Sequence, residues 1–320
     1  MAIPTTRPIV AHASLELRAR RRKWSSVRDN WDLYVFVLPV VIYFLVFHYG
    51  PMYGVQIAFK DFQAVRGITG SPWVGFKHFE RFFQTYLFWT VLRNTVVLAL
   101  YQLVAGFPVP IILALLMNQL RSQKLKRTVQ TVTYAPHFIS MVVLVGMMGV
   151  LLAPRAGIVN QAIRSLGGET IFFMARSQYF RHLYVWSGVW QTAGWNSIVY
   201  LAALSAISPD LHEAAIVDGA TKFQRILKID LPSIMPTAII LLILNTGRVM
   251  RLGFEKAFLM QTALNLDVSE IIQTYVYKVG LLNAQFSLSA AVGLFNSVIN
   301  LLLLLAVNRI ARKVGQISLW

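Results

Sequence analysis

The chain has no cysteine and few charges, with Asp, Glu, Lys and Arg making up 13% of its 320 residues. Without cysteine there is no disulfide framework, no thiolate metal site and no readable redox compartment. A soluble domain carries about one quarter charged residues. So small a share, beside 56% hydrophobic residues, excludes an ordinary soluble domain and places the chain among membrane proteins. Carboxylates are scarcer still, 13 against 30 Lys and Arg. None lies deep in an apolar run, which argues against an ion-coupled carrier built around an intramembrane acid. No soluble segment is large enough for a glycosyltransferase domain. The six His are scattered without metal-ligand spacing. Gly70-Ser-Pro-Trp-Val-Gly75 is followed by Phe76-Lys77-His78, not by the residues of a phosphate loop. No Ser/His/Asp set can be assembled, so the chain reads as a non-enzyme with no metal and no cofactor of its own.

What is present is a series of apolar runs. Six are long enough, or nearly so, to cross a hydrocarbon core of roughly 30 Å. They lie near 32–53, 89–117, 129–152, 183–206, 234–252 and 285–308. The fold class expected is all-α, a polytopic bundle of six transmembrane helices. The first run starts behind a basic arm and is too long for the apolar core of a signal peptide. The domains expected are an arm over 1–31, one membrane domain over 32–310 and a tail over 311–320.

The net charge of +17 sits at the ends of these runs. With the N-terminus inside, the cytoplasmic segments hold 17 Lys and Arg and the opposite loops 10. That bias, with an even number of spans, puts both termini in the cytoplasm. The cluster Arg18-Ala-Arg-Arg-Arg-Lys23 then touches anionic lipid headgroups or simply fixes topology, rather than binding nucleic acid.

The 207–233 loop carries the most specific pattern. Ser208-Pro-Asp suits a capped helix start. Glu213-Ala-Ala favours helix, and Gly219 suits a left-handed stop. Phe223, Ile226, Leu227 and Ile229 form a second apolar stripe, which Leu231-Pro232 is expected to end before the next span. From the residues alone, this helix–turn–helix is either a docking element or a plain interfacial connection.

Glu213-Ala-Ala, Asp218-Gly-Ala220 and Leu231-Pro232, in that order and spacing, resemble the EAA loop of binding-protein-dependent ABC permeases. Tyr43 to Gly54, Ala58-Phe-Lys-Asp-Phe62, Gly70 to Phe79, Arg93-Asn-Thr95, Tyr134-Ala-Pro-His-Phe138, Gly253-Phe-Glu255, Thr274-Tyr-Val-Tyr277 and Ala291-Val-Gly293 are similar to the MalF-like polysaccharide and complex-sugar group of those permeases. The similarity runs from about residue 30 to the end and points toward membrane subunits of bacterial alginate importers.

The resemblance implies a subunit of the bacterial inner membrane with a cytoplasmic coupling helix. Glu213, Ala214, Ala215, Asp218 and Gly219 would contact an ATPase. The partners implied are a second permease in a heterodimer, two ATP-binding subunits that hold ATP and Mg, an extracytoplasmic solute-binding protein and a saccharide. The cargo implied is alginate-like, with a neutral oligosaccharide as the alternative.

Polar residues in apolar runs mark a candidate pathway, because they face a bundle interior or a wet cavity. Asn245, Arg248 and Arg251 are spaced i, i+3, i+6 and would share a helix face. Two guanidiniums there favour a carboxylate-bearing sugar. Alternatively they snorkel to the interface or pair with Glu255. Trp190, Trp195 and Asn196 offer stacking faces and an amide, although interfacial belts also use Trp. Asn296 and Asn300 are a further pair on one face, equally suited to joining helices.

Overall fold

The computed structural model describes residues 30–247, 249–250 and 252–315. The basic arm before residue 30, the end of the tail, and Arg248 and Arg251 lie outside the described residues. Among the described residues the structure is helical, with one isolated bridge between Lys60 and Trp73 and no strand. The chain divides into two units, residues 1–56 and 57–320.

The first unit is built on α1 (Trp31–Phe44), which has Asp32 in its first turn, where a carboxylate meets the helix dipole favourably. A π turn, Leu45–Tyr49, follows just ahead of Pro51. Proline has no N–H and its ring strikes the carbonyl four residues back, here that of Phe47. The wider turn absorbs both problems. No residue of α1 is buried. A helix apolar all round, as this one is, suits an apolar environment such as lipid.

The second unit is assembled around one long helix. In order, it contains α2 (Lys77–Gln84), α3 (Phe88–Gly106), α4 (Pro108–Asn118), α5 (Gln123–Tyr134), α6 (Met141–Leu151), α7 (Ile158–Ser165), α8 (Ser177–Ser205), α9 (Pro209–Val217), α10 (Lys222–Arg225), α11 (Leu231–Thr246), α12 (Phe254–Met260), α13 (Ile272–Tyr277) and α14 (Phe286–Gly315). Helix α8 is the pillar. Its N-terminal half packs Phe180, Tyr184, Val185 and Val189 against Leu98 of α3, Leu144 of α6 and Ala257 of α12. Its C-terminal half packs Tyr200, Leu201 and Leu204 against Met117 of α4 and Ile234 of α11. At Gly194 the backbones of α8 and α5 meet: a Cβ there would lie 2.0 Å from the Thr133 carbonyl oxygen.

Among the described residues, four stretches are long and apolar enough to cross a membrane, Trp31–Phe59, Phe88–Asn118, Lys222–Thr246 and Phe286–Lys313, and a bent pair is a fifth if its two helices count as one span. Helix α8, with 29 residues, reaches roughly 43 Å at 1.5 Å per residue. It is long enough to span, but polar residues such as Gln191 and Ser197 are turned inward. The Gln191 amide donates to the Ile139 carbonyl at 2.7 Å, and the Ser197 hydroxyl to that of Gly194 at 2.6 Å.

Three of the expected segments differ from the sequence reading. The run near 129–152 is not one straight helix. Gln123–Phe138 and Met141–Leu151 are bent by 101°, because Ala135–Phe138 tightens around Pro136 and Ser140 caps a new helix start. Leu231-Pro232 does not stop a helix: Lys222 to Thr246 forms one stretch. A π turn at Ile226–Asp230 relieves Pro232 as the earlier one relieves Pro51. The run near 234–252 loses its helix at Thr246, ahead of both arginines.

Candidate coupling loop and transport pathway

Helix α9 begins at Ser208, whose hydroxyl accepts from the Asp210 N–H at 3.3 Å, with Pro209 next. It ends in a Schellman motif. The Ala220 N–H donates to the Ala215 carbonyl at 2.8 Å, and the Gly219 N–H to that of Ile216 at 3.0 Å. Gly219 has φ +79°, the left-handed conformation that glycine adopts without penalty. The turn passes directly into a capping box: the Thr221 N–H donates to Gln224 Oε1 at 2.7 Å, and the Gln224 N–H to Thr221 Oγ1 at 3.3 Å.

Glu213, Ala214, Asp218 and Gly219 are exposed on this unit and Ala215 is half-buried. They are flanked by exposed Leu211, Ile216, Val217 and Phe223. A shallow cavity of about 300 Å³ opens beside them between Ala215, Gly219 and Arg225. On the inner side of α9, His212 Nε2 lies 3.2 Å from Asp230 Oδ1. The Asp230 side chain is fully buried, and Gln119 at the end of α4 donates to its other oxygen at 3.0 Å. Sequence reasoning passed over this triad, since a lone acid ahead of Leu-Pro has no local partner to announce it.

The candidate pathway residues divide. A cavity of about 240 Å³ is lined by Gln102 of α3, Thr192 and Asn196 of α8 and Asn245 of α11, with Gly188 and Gly253 in its wall. An adjoining cavity of about 340 Å³ shares Gly106, Phe107, Asn196 and Asn245 and adds Trp195. The structure thus brings Asn245, Trp195 and Asn196 together. Trp190 is half-exposed on the same helix and lines neither cavity. One face of Trp195 is stacked on His137, with centroids 4.5 Å apart and planes at 4°. Gln102 went unremarked in the sequence, although an amide inside an apolar run is itself a signal.

Arg248 and Arg251 lie outside the described residues. Among the described residues, α11 ends at Thr246. Beyond it the backbone turns, and Met250 is held by side chains: its N–H donates to Asn300 Oδ1 at 3.2 Å, and its carbonyl accepts from Gln273. Buried non-helical backbone needs such partners.

Residues 106–316 match the family described as binding-protein-dependent transport system inner membrane component. The chain belongs to that family. It is 46% identical over 309 residues to the polygalacturonan/rhamnogalacturonan transport system permease protein YteP of Bacillus subtilis (strain 168), covering 97% of this chain and 96% of that one. In structure it is similar to a chain of a bacterial ABC transporter involved in the import of the acidic polysaccharide alginate. The TM-score is 0.86 at 39% identity, covering 92% of this chain and 99% of that one. A second structure of a bacterial alginate ABC transporter, in complex with an alginate pentasaccharide-bound periplasmic protein, gives 0.86 at 38% identity, covering 93% and 100%. The permease is therefore an all-α inner-membrane component of a transport system and not an enzyme, as the EAA-like loop led us to expect.

Proposed function

We propose that this permease imports oligosaccharides bearing carboxylates, driven by ATP hydrolysis in partner subunits. The observation that carries the coupling half is helix α9, where Glu213, Ala214, Asp218 and Gly219 stand exposed at a rigidly capped turn. With Ala215, they form the surface that a cytoplasmic ATPase grips. Both termini are then cytoplasmic. One such loop serves one ATPase, so a second permease and a second ATPase complete the membrane assembly as a heterodimer. An extracytoplasmic binding protein delivers the cargo.

The cargo half is supported by the polar cleft around Gln102, Asn196 and Asn245, and by the acidic polysaccharides named for YteP and for the alginate transporter. Asn245, Trp195 and Asn196 contact sugar hydroxyls and ring faces. Trp190, Arg248 and Arg251 extend the path, the arginines meeting carboxylates through charge-assisted hydrogen bonds.

The test is uptake into proteoliposomes holding the complete transporter, with its binding protein outside and ATP inside. Oligoalginate and oligogalacturonate are compared with their carboxyl-reduced counterparts. Uptake of a uronate oligomer that requires ATP and fails for the reduced sugar is the expected result. Preferential uptake of neutral oligomers, or uptake without the ATPase, would overturn the reading.

A further inference from the structure

Lys256 sits in the first turn of α12 and is only 4% exposed. Its ammonium donates to the Tyr184 carbonyl at 2.6 Å and lies 4.9 Å from the centre of the Tyr184 ring. Among the described residues no carboxylate is within ion-pair distance of it. A buried cation held only by one carbonyl and one aromatic face is poorly compensated, since burying a charge is costly unless a counter-charge and hydrogen bonds replace its water. Joining α12 to α8 alone would be met as well by a neutral amide.

The surroundings offer a reason for the charge. Lys256 lies behind the two glycines in the wall of the 240 Å³ cavity. A Cβ at Gly188 would stand 3.1 Å from the ammonium, and one at Gly253 would stand 4.0 Å from the lysine Cβ. At these two positions the cavity wall beside the lysine is backbone without side chains. On the cavity side are Gln102, Thr192, Asn196 and Asn245, all neutral. They can bond hydroxyls but cannot neutralise an anion. In a low-dielectric wall a single cation acts over several ångströms with little screening.

We propose that Lys256 is a specificity-determining residue of the permease, which presents positive charge through the Gly188–Gly253 wall to a carboxylate in the cavity. The ligand class is a uronate residue of the cargo. The proposal rests on the carboxylate-bearing cargo proposed above and adds to the two arginines a further group that reads it.

The experiment uses the complete reconstituted transporter with its binding protein. Two quantities are read, the KM for uptake of a galacturonate trimer and the ATPase rate stimulated by the binding protein without cargo. Lys256→Gln should raise the uptake KM about tenfold, the scale of one charge–charge attraction across several ångströms of weakly screened wall, with the cargo-free ATPase rate unchanged. Lys256→Arg should restore the wild-type KM. Gly188→Ala keeps the lysine but sets a methyl group against its ammonium, in the wall between charge and cavity, and should also raise KM; it decides the matter if Lys256→Gln does not assemble. If uptake and cargo-free ATPase fall together in both variants, Lys256 is a structural brace and the proposal fails. An unchanged KM in both would also overturn it, while wild-type preference for the acidic trimer leaves the cargo reading standing. If the wild-type transporter takes up no uronate trimer, the cargo reading and this proposal fall together.

Discussion

His212, on the inner face of α9, lies 3.2 Å from the buried carboxylate of Asp230, which belongs to the base of the next membrane helix. Gln119, from the end of α4, completes the contact at 3.0 Å. A displacement of α9 is thereby felt at two spans through one carboxylate. Removing a partner from a buried acceptor costs about 1–3 kcal/mol, so His212→Ala should lower the unfolding midpoint of the purified complex by several degrees. It should also lower cargo uptake per ATP hydrolysed more than it lowers ATP hydrolysis itself. If midpoint and coupling ratio both match wild type, the contact does not hold α9 in place.

The turn after α9 allows a cleaner separation. A Cβ at Gly219 would meet no atom within 4 Å, yet φ there is +79°. The cost of Gly219→Ala is then backbone strain alone, about 1–2 kcal/mol. The complex should assemble in normal yield, while uptake falls at least tenfold and ATP hydrolysis persists. Glu213→Ala should behave alike without the strain. Full uptake in both variants would show that this exposed surface does not carry the coupling.

The capped helix α9 and its turn were legible because their signals are local. Ser208, Pro209 and Gly219 act within a few residues of themselves. The apolar runs were legible for the same reason. What escaped depended on distant partners. Pro232 reads as a stop, but tertiary packing carries the helix through it with a π turn. Lys256 reads as a loop charge, yet it is buried under Tyr184, 72 residues away in sequence. The end of α11 at Thr246 depends on Asn300 and Gln273, which replace the helical partners of Met250. No window around Asn245 contains that information.

His78, on α2 and outside the membrane helices, provides a pH test. Burial lowers its pKa below the ordinary 6.5, against the opposing pull of Asp61 and of the Lys60 carbonyl. That carbonyl lies 3.1 Å from Nε2. A histidine whose folded pKa is depressed takes up its proton more readily unfolded. Its stability is complete above about pH 6.5 and is lost as pH falls toward and through the folded value. Lys77 and Arg81 nearby disfavour the imidazolium further. The unfolding midpoint of the complex should fall between pH 7 and 5, and His78→Gln should shallow that fall. Parallel pH profiles for the two proteins would remove His78 as the cause.

The turn after α11 can be probed directly because the chain has no cysteine of its own. Val249 lines the 240 Å³ cavity, and a Val249→Cys reporter would be the one thiol in this subunit. In the native permease the neighbouring Met250 N–H is tied to Asn300, and both residues are buried. Asn300→Leu keeps approximate shape and removes the acceptor. An unsatisfied buried N–H costs about 1–3 kcal/mol, and local opening is the cheapest way for the turn to recover a partner in water. Maleimide labelling of the reporter should then quicken on the order of tenfold, since each 1.4 kcal/mol is a factor of ten. Gln273→Leu, which frees the Met250 carbonyl, should act in the same direction. If labelling is unchanged in both, the turn is held by packing against its neighbours rather than by these two amides.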